Sequence, residues 1–132
     1  MSLVYVGFVP HPPIVVPEIG RGEEKASEAT IEAFRRLAKE VVKMEVKTIL
    51  IVSPHAPLAD GGLVYLEGNP LSGSFVRFGA GEVQFKKEVN KEILEAIKED
   101  ISDSFPVKAE LDHGVLVPLY FLREAGWEGK IV

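Results

Sequence analysis

The chain has 132 residues, 46% of them hydrophobic, with 15 Lys and Arg against 20 Asp and Glu and no cysteine. That apolar share supports one globular core of ordinary domain size and excludes disordered and collagen-like chains. The net charge of −5, with basic residues interspersed among Glu rather than clustered, argues against a nucleic-acid partner, and the missing cysteines remove disulfides, thiolate metal sites and cysteine nucleophiles.

In chain order, residues 3–9 are apolar, rich in β-branched and aromatic side chains, and stop at Pro10, which predicts a buried strand. This uncharged start lacks the basic region of a signal peptide and is broken by Pro10, His11, Pro12 and Pro13. Residues 24–45 place Ile31, Phe34, Ala38, Val41 and Val42 on one face, the pattern of an amphipathic helix. Residues 48–52 form a second β-branched run, stopped by Ser53-Pro54. Two apolar strands joined by a helix make a βαβ unit with parallel strands. The glycine-rich stretch 59–81 predicts turns and short strands near 63–66 and 75–78. Phe85, Val89, Ile93 and Ile97 recur every four residues and predict a second helix over 82–101.

After Pro106, residues 107–111 read as a short strand and 115–125 as a buried helix with Pro118 in its first turn, where a missing N–H does little harm. Residues 129–132 begin like a strand with no room to finish, so the expectation is part of something longer. The predicted fold class is α/β: a mostly parallel sheet with helices on both faces, a truncated three-layer αβα arrangement. No segment approaches the roughly 18 to 20 apolar residues of a membrane span. A cytoplasmic protein without a membrane partner is expected, and a homo-oligomer is the expected assembly.

All three histidines follow a predicted strand and sit among helix-breaking or turn-forming residues: Pro10-His11-Pro12-Pro13, Ser53-Pro54-His55-Ala56-Pro57 and Asp112-His113-Gly114. Loops at the carboxyl ends of strands converge on one edge of an open α/β sheet, so the three imidazoles have a route to one place. Fixed proline φ values would hold such loops in one conformation. Separations of 44 and 58 residues match no local zinc signature. Taken singly, each histidine is as well explained as a loop residue, and Glu18, Asp60 and Glu67 as solvated surface carboxylates. Asp112 reads as a cap or turn residue before Gly114.

The three motifs, with Ile14, Pro17-Glu18 and Val117-Pro118-Leu119 beside them, resemble the LigB-like class III extradiol ring-cleavage dioxygenases and their Memo-like relatives. The resemblance runs in family order over essentially the whole chain and implies that residues 1–132 are the N-terminal part of a single catalytic domain. It implies that His11 and His55 bind a non-haem Fe(II), with Zn as a possible substitute, and that His113 is the catalytic histidine, either as an acid/base or as a group that supports the metal ligands from behind. Pro12, Pro13, Ser53, Asp112 and Gly114 become supporting loop residues. The implied substrates are a small catechol-like aromatic diol and O₂, and the implied reaction is extradiol ring cleavage. The alternative is a Memo-like metal- or partner-binding protein of a radical-SAM-associated system. The third metal ligand is expected beyond Val132, so the chain alone is expected to hold iron weakly or not at all and to be inactive.

Overall fold

The computed structural model describes residues 2–132. In chain order they form Pro17–Gly20 (α1), Glu28–Lys43 (α2), Thr48–Ile49 (β1), Leu63–Leu66 (β2), Leu71–Phe75 (β3), Ala80–Lys87 (β4), Lys91–Asp100 (α3), Ser104–Val107 (β5), His113–Glu124 (α4) and Lys130–Ile131 (β6). Short 3₁₀ turns lie at Pro13–Val15, Glu23–Ser27 and Val76–Phe78. The strands pair in three two-stranded sheets: β1 with β6 and β2 with β5 run parallel, and β3 with β4 antiparallel. Parallel partners require long crossovers, which α3 and α4 help to supply. The class is α/β, as the sequence predicts.

The core is built on α4. Leu116, Val117 and Leu119 are fully buried there, together with Val15 and Val16 from the turn before α1 and Phe75 from β3. The amphipathic face of α2 meets α4 through Phe34 and Phe121, whose rings stack at 4.7 Å and 7°. Ile31, Ala38 and Val41 continue the same buried stripe. At the far end of α4, the Trp127 Nε1–H donates to the Val46 carbonyl at 2.7 Å and ties the helix exit to the loop before β1.

Five local expectations change. Residues 3–9 form no ladder with another strand among the described residues, and Leu3, Val6 and Phe8 are 84%, 72% and 102% exposed. Their composition favours extended backbone, but a strand also needs a neighbour's N–H and C=O groups. Only Val9 of this run packs against the core. Residues 48–52 do join a parallel ladder: beyond β1, the Ile51 N–H donates to Val132 O and the Val132 N–H to Ile49 O. Ile49 and Ile51 face the core while Leu50 and Val52 alternate outward and are exposed.

The second change is at 82–101, where β4 and α3 replace a single helix. Val83 and Phe85 are buried while Glu82, Gln84 and Lys86 are exposed, a two-residue alternation. A four-residue repeat is a multiple of two, so Phe85 and Val89 fit either period. Asn90 divides the elements, its side chain accepting from the Ile93 N–H at 3.3 Å as the N-cap of α3.

The remaining changes follow from turn chemistry. Residues 76–78 turn as a 3₁₀ segment, and Gly79 at φ 76° reverses the chain into β4. The strand expected at 107–111 lies instead at Ser104–Val107 and runs through Pro106, tolerated because a two-stranded sheet is all edge. α4 starts at His113, which puts Pro118 inside the helix rather than in its first turn. The Gly114 carbonyl consequently lacks its usual partner four residues on. No helix among the described residues is long and apolar enough to cross a membrane.

Candidate metal centre

Each histidine is positioned by a different local device. His11 precedes Pro12 and Pro13, and Pro13 opens the 3₁₀ turn Pro13–Val15. The Val15 N–H donates to Pro12 O at 3.2 Å, and the fully buried Val15 and Val16 anchor that turn in the core. His55 is exposed and lies in the turn at Pro54–His55 beyond β1. His113 is the first residue of α4, behind an Asp112 cap that accepts from the Gly114 N–H at 2.7 Å.

These devices bring all three rings together. His11 Nε2 and His55 Nε2 are 2.8 Å apart. The His113 ring lies 4.0 Å from His55 and 5.6 Å from His11, centroid to centroid. One ligating atom from each of the three lies within 4.8 Å of the others. Burial, and then the neighbouring His55 and His11 rings against the opposing pull of Asp112, hold the His113 imidazole below its ordinary titration range. It is neutral at physiological pH, with a lone pair available.

The donor set fits a divalent first-row metal. Two imidazole nitrogens about 2.1 Å from one ion at roughly a right angle stand about 3.0 Å apart, close to the observed His11–His55 spacing. The two Nε2 atoms stand within hydrogen-bonding distance of one another, a contact that a shared cation can replace. No carboxylate joins the group among the described residues. Asp60 and Glu67 are exposed, as expected for surface carboxylates. Glu18 departs from that reading: it is half-buried, accepts from the Tyr120 hydroxyl at 3.3 Å, and its other oxygen is buried without a partner. Burial and this contact push the Tyr120 hydroxyl well above its usual range, so it remains a donor.

The supporting residues interlock. Ser53 Oγ–H donates to Asp112 Oδ1 at 2.6 Å, and the His55 N–H donates to Ser53 Oγ at 3.3 Å. Gly114 sits where a Cβ would collide with Ser53 Oγ and stand 3.3 Å from His55 Cδ2. Phe78 was not foreseen at the site. Its ring meets His113 edge-on at 5.3 Å and 72°, and it is 38% exposed, forming an aromatic wall beside the imidazoles. The Arg21 guanidinium fixes that wall by donating to Gly79 O at 3.0 Å. No sequence signal marks Phe78, because its place depends on the turn between β3 and β4.

Two clefts elsewhere, of about 330 Å³ beside Trp127 and about 480 Å³ beside α2, contain no histidine. From Tyr5 to Val132 the chain matches the family described as the catalytic LigB subunit of aromatic ring-opening dioxygenase. It is 38% identical, over 146 aligned residues, to Protein CA_C1420 of Clostridium acetobutylicum, which covers 100% of this chain and 31% of that protein. The chain thus spans about a third of the length of this curated relative. No solved structure matches it. With the family match running through all three histidine motifs, this chain belongs to the LigB family of aromatic ring-opening dioxygenase catalytic subunits.

Proposed function

We propose that the chain supplies the metal-binding face of an Fe(II)-dependent extradiol dioxygenase acting on a catechol-like diol. The observation that carries this reading is the 2.8 Å approach of His11 Nε2 and His55 Nε2 from loops 44 residues apart. His11 and His55 hold the metal, and His113 lies alongside as a third imidazole. Fe(II) held there would supply a Lewis-acidic, redox-active centre with open positions for a diolate and O₂.

The chain's own residues contribute three things. The proline-fixed turn at Pro12 and Pro13 and the Ser53–Asp112 contact hold the donors in place before substrate arrives, so little ordering is needed on binding. The neutral His113 imidazole accepts a hydroxyl proton from the diol and returns it after ring opening. Phe78 offers a flat apolar surface beside that proton path, suited to an aromatic ring.

Oxygen uptake by the full-length, Fe(II)-loaded protein over a panel of catechols tests the reading. The expected result is one O₂ consumed per diol cleaved, with loss of turnover in His113→Gln while metal stays bound. A protein that retains metal but consumes no oxygen with any diol contradicts ring cleavage and favours a Memo-like metal-handling role.

A further inference from the structure

We propose that Ser53 is a positioning residue that sets the distance between His55 and His113 through a hydroxyl shared by the two segments carrying them. The metal-site reading supplies the consequence of that role, but the spacing is a property of the metal-free fold.

The contacts form one polarised line. The His55 N–H donates to Ser53 Oγ, the Ser53 hydroxyl donates to Asp112 Oδ1, and the same carboxylate oxygen accepts from the Gly114 N–H. A hydroxyl bonded to a carboxylate at 2.6 Å is in the short, charge-assisted class. Its donation strengthens its capacity to accept from His55. Serine suits this place because it donates and accepts at one atom. Ser53 and Asp112 are 59 residues apart, so this bond links separate parts of the chain rather than shaping one turn. Gly114 completes the fit: without a Cβ, the start of α4 lets Ser53 Oγ and the His55 ring approach the backbone.

The roles of Asp112 and Ser53 separate cleanly. Asp112 caps α4 by accepting from the Gly114 N–H, a contact that does not run through Ser53. Ser53→Ala therefore keeps the helix start and removes only the link to the His55 loop. In the metal-free wild type, the 4.0 Å ring separation predicts a strong nuclear Overhauser effect between the His55 and His113 ring protons. Ser53→Ala should abolish it and speed hydrogen exchange at the His55 amide, while the Gly114 amide stays protected and Ser53→Thr restores the ring contact. Cobalt(II) affinity should fall about tenfold or more in Ser53→Ala, the range for losing a group that orients a metal ligand. Persistence of the ring contact in Ser53→Ala, or its absence from the wild type, overturns the positioning role. A wild type that shows the Ser53-dependent contact yet binds no cobalt leaves that role standing and sinks the metal reading instead.

Discussion

Phe121→Ala should cost about 3–5 kcal/mol of folding stability, the range for truncating a buried aromatic residue. Phe121 is 2% exposed and lies near-parallel to Phe34, so the substitution leaves a void between α4 and α2. The loss is large against the roughly 5–15 kcal/mol total of a typical domain. Urea unfolding of the two single variants and of the pair with Phe34→Leu measures it, and the double-mutant cycle should return a coupling of about 0.5–1.5 kcal/mol beyond lost area. A cost below about 1 kcal/mol would mean that α4 is not the centre of the core. The link to function is direct, because the helix that Phe121 anchors carries His113 at its first position.

Gly114→Ala should also destabilise, against the usual trend for helices. Alanine normally gains up to about 1 kcal/mol over glycine inside a helix. Here the new Cβ would collide with Ser53 Oγ, approach Asp112 Oδ1 to 2.9 Å and stand 3.3 Å from His55 Cδ2. Relieving that crowding turns the Ser53 hydroxyl away from Asp112 and loosens the hold of α4 on the His55 loop. Overpacking of this kind costs about 1–3 kcal/mol, which exceeds the propensity gain. Metal affinity should fall in parallel if His55, carried on that loop, is a ligand as proposed. Thermal unfolding together with a cobalt titration separates the effects: a variant more stable than wild type with unchanged affinity would show that the close approach of loop and helix is wrong.

The histidine loops were legible because proline and glycine mark turns whatever the tertiary context, and all three motifs fall at ends of elements. The amphipathic helix α2 was legible for a similar reason: Ile31, Phe34, Ala38 and Val41 have a period that only a helix satisfies. The reading of Asp112 as a cap also holds, as its side chain needs only a neighbouring N–H. Apart from the turn at residues 76–78, the shift of one strand to Ser104–Val107 and the earlier start of α4, the failures depend on partners distant in sequence. Phe85 and Val89 fit both periods until β3 is known to lie beside β4. Residues 3–9 have strand composition but no strand beside them in the described residues. The Ser53–Asp112 bond, the Phe78 wall and the half-buried Glu18 each join segments that no local pattern connects.

The third imidazole is the feature with the most consequence for chemistry. His11 and His55 alone would leave an ion mostly hydrated, the basis for expecting weak iron binding from the sequence. His113, kept neutral by burial and by its histidine neighbours, stands beside that pair with a lone pair free. It is therefore placed to take up a proton next to the position the other two rings share.

Titration of the metal-free protein with cobalt(II), followed by visible absorption and calorimetry, tests the convergence of the three histidines most directly. The expected result is one equivalent bound with nitrogen-ligand absorption bands, abolished in His11→Ala and in His55→Ala and weakened in His113→Ala. Absence of stoichiometric binding, or binding that survives loss of His11, would contradict it.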